Sequence, residues 1–165
     1  MATTASLHNR LDCLYDVWMS LKPDSPETLF AKFANYFDEN CTAYLLSMRE
    51  IAEPSIGREG VIKGIKEVIK NTRITKRNVV DSFDITQNLS RTSTASGSKI
   101  SVEMSNDLDV RGKKLDSFPE VAVVTFNCEG LITNFKLYCC RSPIVHIIQD
   151  VTGEGPYKVL ESKCH

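Results

Sequence analysis

The stretch from Ser98 to Pro143 constrains the fold more than any other part of this chain. It predicts three consecutive β-strands: Ile100 to Val110, Leu115 to Asn127, and Leu131 to Arg141. Val121 to Phe126 is an almost unbroken apolar, β-branched run, the pattern of a strand covered on both faces. Asn127-Cys128-Glu129-Gly130 is a short polar interval between two apolar runs, so it predicts a hairpin. Helices that precede such a meander cover one side of its sheet. A curved sheet wrapped on helices encloses a pocket, and polar side chains on its inner face are where chemistry sits.

Upstream, the apolar period changes from 2 to 3.6. Leu7, Leu11, Leu14, Val17, Trp18 and Leu21 form a single stripe, which predicts a first helix over residues 6–21. Lys22-Pro23-Asp24 breaks it. Ser25 is placed to cap a second helix, with Pro26 at its first position and Glu27 at the positive end of its dipole. Leu29, Phe30, Phe33, Tyr36 and Phe37 give that helix a bulky face, and Asn40 ends it. Cys41 to Arg49 predicts a strand. Gly57-Arg58-Glu59-Gly60 opens a third helix, and a long strand follows over about 74–89. Residues 90–98, rich in Ser, Thr and Gly, predict a loop or hairpin tip. Pro143 starts a final short helix that Gly153 ends. Helix, helix, strand, helix, four strands and a helix make an α+β domain with helices on one face of an antiparallel sheet.

With 165 residues the chain reads as one domain, 1–165, with a short N-terminal tail and an extended C-terminal tail. A net charge of −1 gives no basic footprint for nucleic acid. The Lys/Arg cluster between Lys63 and Arg77 is interrupted by Glu67 and reads as a solvated helix face. No apolar run reaches the roughly 20 residues of a membrane span, and no signal peptide is recognisable, so a cytoplasmic location is expected. The six cysteines include no C-x-x-C pair, and three histidines do not supply zinc spacings. Reduced thiols and no metal are expected.

Four residues interrupt the apolar pattern and are the candidate site. Asn106 shares a strand face with Ile100, Val102, Met104, Leu108 and Val110. A buried Asn needs partners, either backbone at a bulge or a substrate oxygen. Asp81 lies between Val79 and Phe83: it is either a rim residue paired with a cation or a carboxyl whose burial suits it to proton transfer. Arg49 shares parity with Cys41, Ala43 and Leu45, and its fork of donors suits a carbonyl or carboxylate as well as a surface ion pair. Glu59 either satisfies orphan amides in the first turn of its helix or acts as an acid or base at a pocket mouth. Tyr44, Phe126, Phe135 and Tyr138 read as core or pocket wall, and His146 as a packed histidine. Phosphate-binding glycine loops are absent.

Two features together resemble the SnoaL-like branch of the NTF2-like fold: the opening helices followed by a strand and GREGVIKGI, and NDLDVRG with FPEVAVVTFNCEGLITNFKLYCCRSPI. The resemblance spans Leu7 to Thr152. Within that branch, EGLITNFKLYCCRSPIVHIIQ is similar to small fungal proteins of meroterpenoid pathways, such as those making terretonin, austinol and paraherquonin. The resemblance implies a cone of three N-terminal helices packed on a curved antiparallel sheet, a homodimer formed through the sheet, and no cofactor. It implies an isomerase or hydrolase acting on a polycyclic terpenoid lactone, possibly with ring expansion. Glu59 and Asp81 are then the groups that exchange protons, and Asn106 and Arg49 those that bind oxygens. Many relatives carry an Asp shortly before the Ser-Pro of the last strand, where this chain has Cys140-Arg141, so that Asp's role does not transfer. Two alternatives stand beside this reading: a non-catalytic binding or dimerisation module, and a dehydratase, which needs a histidine–carboxylate pair in the cavity.

Overall fold

The structure, a computed structural model, describes residues 4–46, 53–85 and 98–156. Helix α1 (Thr4–Ser20) buries the predicted stripe, with Leu7, Leu11, Leu14, Val17 and Trp18 all inside. Pro23 disfavours a helical Lys22 and the chain turns there. Ser25 does not cap the next helix. Its hydroxyl accepts the Lys22 N–H at 2.9 Å, and Pro26 takes the N-cap position of α2 (Glu27–Ala34). Helix α2 also ends earlier than its aromatic spacing suggests. The chain turns at Asn35-Tyr36, and Phe37 is the first residue of strand β1 (Phe37–Tyr44). Phe33 and Phe37 are both fully buried, so a spacing that fits one helical face is met here by a helix followed by a strand.

Among the described residues three helices precede the meander, in the expected order of helix, helix, strand and helix, but with a second short strand before the third. Strands β1 and β2 (Ser55–Ile56), an antiparallel pair, stand between α2 and α3 (Gly57–Asn71). Gly57 has φ +65° and its α-carbon faces the Glu39 carbonyl, so a Cβ there would lie 2.8 Å from that oxygen. The long strand expected after α3 is in fact two, β3 (Thr72–Lys76) and β4 (Val79–Ile85), separated by Arg77-Asn78. Both lie along the same edge of β5 (Ser98–Val110): β3 pairs Asp107 to Val110, and β4 pairs Lys99 to Met104. Strands β6 (Lys113–Phe126) and β7 (Ile132–Tyr138) complete the meander, and the hairpin at Asn127–Gly130 forms as expected. Helix α4 (Ser142–Thr152) follows, closed by Gly153 in the left-handed region.

The sheet order is β2-β1-β7-β6-β5-β3, with β4 beside β5. All pairs are antiparallel except β1–β7. The helices pack on one face. Ala122, Val124 and Phe126 of β6 are buried there, whereas Val121, Val123 and Thr125 on the other face are half-buried, so β6 is more open on its outer side than its apolar run suggests. A chain of rings ties the layers together: Trp18 to Phe33 at 5.7 Å between centroids, Phe33 to Phe37 at 5.6 Å, and Phe37 to Phe135 at 6.2 Å. These contacts join α1, α2, β1 and β7 into one core.

Candidate active site

On the inner face of β5 and β6, strict alternation brings Asn106 and Glu120 together among apolar neighbours. Both are buried, Asn106 completely and Glu120 to 7 % exposure. Asn106 Nδ2 donates to Glu120 Oε2 at 2.6 Å, and Asn106 Oδ1 accepts the Asn78 backbone N–H at 3.3 Å. The amide is thus held at both ends, beside a register shift in the β5–β6 ladder. Its partners are backbone and a carboxylate, which is the backbone-pairing reading extended to Glu120, and Asn106 itself stands behind the chamber wall. Burial raises the Glu120 carboxyl above its ordinary value, and the Asn106 hydrogen bond opposes that only in part. A carboxyl of this kind is suited to hold or release a proton closer to neutrality.

Glu120 lies in the wall of a small, partly open chamber of about 40 Å³, together with Trp18, Leu108, Leu137, Cys139, Arg141 and Ile144. Trp18 Nε1 is buried with no hydrogen-bond partner among the described residues, and the same is true of the Tyr15 hydroxyl. The two rings stack at 5.4 Å. Burial first, and then the negative charge of Glu120, push the Tyr15 hydroxyl well above its ordinary pKa, while Arg77 acts in the opposite sense. Tyr15 therefore stays a donor at every physiological pH. Two buried donors without acceptors among the described residues carry an energetic cost of the kind that a water or a ligand oxygen relieves.

Arg77 is the base of this arrangement. Its Nη1 lies 2.7 Å from Asp12 Oδ1, its Nε 3.4 Å from Met104 Sδ, and its guanidinium carbon 4.4 Å from the centre of the Tyr15 ring. One short connection between β3 and β4 therefore steadies both halves of the site, Arg77 through Tyr15 and Asn78 through Asn106.

The other expected site residues fall elsewhere. Asp81 is exposed. A bulge between Val79 and Asp81 shifts the register, so Val79 pairs with Met104 on the inner face but Asp81 pairs with Glu103 and Phe83 with Ser101 on the outer face. Glu59 is exposed in the first turn of α3, outside the chamber wall, where its charge complements the helix dipole. Arg49 lies outside the described residues. Among the described residues no group of His, Cys, Asp and Glu is arranged to hold a metal. A histidine–carboxylate pair does exist, His8 Nε2 to Asp84 Oδ1 at 3.0 Å, but it is a surface contact between α1 and β4, away from the chamber wall.

Glu120 was legible by the test applied to Asn106. In FPEVAVVTF, Phe118, Glu120, Ala122, Val124 and Phe126 share one face, and Glu120 is the polar member. Tyr15 and Trp18 carry no such signal, because aromatic residues on a helix stripe read as core.

No family model matches the chain, and no curated protein matches it. Solved structures do. A Kribbella flavida protein is 12% identical, with 92% of this chain and 100% of that one covered and a TM-score of 0.56. A Bacillus subtilis protein named as a candidate isomerase is 14% identical, with 89% and 95% covered and a TM-score of 0.53. A Catenulispora acidiphila protein with a ketosteroid isomerase-like fold, solved with trimethylamine, is 12% identical, with 71% and 79% covered and a TM-score of 0.53. The fold of this chain is therefore the ketosteroid isomerase-like, or NTF2-like, fold. Among the described residues no helix is long and apolar enough to cross a membrane.

Proposed function

We propose that this protein is a cofactor-independent isomerase that moves a proton on an apolar, oxygen-bearing substrate, with Glu120 as the acid–base group. The observation that carries this reading is the buried Glu120, held by Asn106, in the wall of a chamber shared with Trp18, whose indole N–H has no acceptor among the described residues. In this mechanism Trp18 donates to a substrate oxygen as negative charge develops on it, Tyr15 backs the Trp18 ring, and Glu120 takes or gives the proton at the neighbouring carbon. Asn106 positions Glu120. Glu59 and Asp81 have no part in the chemistry.

The substrate class we infer is a polycyclic terpenoid lactone of fungal meroterpenoid biosynthesis, on the strength of the sequence runs at GREGVIKGI and EGLITNFKLYCCRSPIVHIIQ. Lactone hydrolysis and ring expansion are variants of the same proton chemistry. The test is incubation of the purified protein with a panel of terpenoid lactones, followed by mass spectrometry. Rearrangement gives an unchanged mass at a new retention time, and hydrolysis adds one water. Glu120→Gln should lower turnover by about 10²–10⁴, with Glu59→Gln and Asp81→Asn at the wild-type rate. Wild-type turnover by Glu120→Gln overturns the assignment.

A homodimer through the outer face of the sheet belongs to the same proposal. Phe83 at 56 % and Tyr138 at 43 % exposure, with half-buried Val121 and Val123 between them, support it.

A further inference from the structure

The inner chamber and the proposed substrate differ in size. About 40 Å³ accommodates a carbonyl oxygen and its carbon, or a water or two, whereas sites for whole small molecules run to roughly 300–1,000 Å³. A second hollow lies next to it, between α3 and the β1–β2 pair. Its volume is about 400 Å³, within the ligand range. Ala43, Tyr44, Pro54 and Ile56 make its wall largely apolar, and Lys63 and Glu67 bring charge to it. Leu45 and Leu46 stand in the walls of both hollows. The two spaces therefore adjoin, with Leu45 and Leu46 between them. Leu45 is buried, and Leu46 is partly exposed and packs against the core.

We propose that the outer cleft holds the apolar body of the substrate whose oxygen enters the chamber, and that Leu45 and Leu46 form the threshold between them. The ligand this selects has one compact carbonyl-bearing end and a rigid hydrocarbon remainder. A molecule polar along its whole length is excluded, because the cleft gives its middle mainly aliphatic and aromatic contacts. The inference rests on the reading of the chamber as the reacting end of the site, and it adds the place where binding energy is gained. Ile56, 61 % exposed in the unliganded cleft, is the side chain with most to gain from such a ligand.

The chain has a single tryptophan, Trp18, and it lies in the chamber wall, so its fluorescence reports on what enters the chamber. The experiment titrates the full-length protein with cyclohexanone, which is a head without a body, and with trans-2-decalone, which adds a fused ring. Trp18 emission and calorimetry are read in parallel. Decalone should bind at least tenfold more tightly than cyclohexanone, the gain from burying about half of the four added carbons at ~0.8 kcal/mol each, and both should change Trp18 emission. Ile56→Asp should remove the advantage of decalone and leave cyclohexanone binding unchanged. Leu46→Ala, which thins the partition, should let larger fused ketones reach Trp18. If decalone keeps its tenfold advantage in Ile56→Asp, the cleft assignment is overturned and the chamber reading stands. If decalone binds in an Ile56-dependent manner but leaves Trp18 emission unchanged, the chamber reading is overturned. Binding of neither ketone at millimolar concentration overturns both.

Discussion

Glu120 sits in a mainly apolar wall that also holds Thr72, Cys139 and Arg141, with the Asn106 amide on one of its oxygens. Folding removes it from water and raises its carboxyl pKa, which fixes the sign of a pH effect. The protonated form is favoured in the folded state. The stability that Glu120 contributes is complete below its ordinary value of 4.5 and is lost as pH rises through the raised folded-state value. Glu120→Gln removes that dependence. Denaturant unfolding of the wild type should lose more stability between pH 4.5 and 8 than the variant loses, and parallel curves would show that Glu120 is not desolvated. Asn106→Ala acts differently. It leaves the Glu120 carboxyl and the Asn78 N–H short of a partner, at a cost of about 1–3 kcal/mol for a buried unsatisfied group. The same unfolding measurement reads that cost. Glu120 should also titrate higher in this variant, because the hydrogen bond that opposes the shift is gone.

Between residue and fold, the connection Arg77-Asn78 matters out of proportion to its length. It splits what would be one long strand, and β4 beyond it pairs with a different part of β5 through a bulge. The same connection reaches α1 through Asp12 and the Tyr15 ring. Arg77 is only 10 % exposed whereas Asp12 is half-exposed, so the ion pair is more a clamp on geometry than a large source of stability. Arg77→Met keeps the packing volume and removes the clamp. Amide hydrogen exchange around Asp12 to Tyr15 should quicken, with the β5–β6 amides unchanged. Equal protection of α1 in the variant would show that Arg77 does not hold that helix against the sheet.

At the scale of the molecule, one face of the sheet is closed by helices and the other presents Phe83, Tyr138 and the β-branched side chains of β6 to solvent. Asp81, Ser101, Glu103 and Lys136 lie among those apolar side chains, and the proposed homodimer sets this mixed face against its copy. Sedimentation should find a dimer of the full chain, and Phe83→Glu should shift it toward monomer without unfolding it. A wild type that sediments as a monomer at high protein concentration would remove the sheet-mediated dimer from the reading. The pairing of His8 with Asp84 is at the surface, away from the chamber wall.

The chain's own pattern of residues determined the α+β class, the three-strand meander, the helical stripe of α1, and the inward parity of Asn106. Each follows from a local period of 2 or 3.6, which is a property of the backbone. It also held the parity of Glu120 in the alternation of FPEVAVVTF. The tertiary structure decided which carboxylate is inside. Asp81 and Glu120 both alternate with apolar neighbours, but a one-residue bulge in β4 turns Asp81 to the outer face, while unbroken pairing keeps Glu120 facing the helices. A bulge leaves no reliable mark in composition, and a one-residue slip exchanges the two faces of a strand. The donors Tyr15 and Trp18 depended on the fold for the same kind of reason. Whether an aromatic side chain fills a core or lines a chamber is set by what the opposite wall places against it.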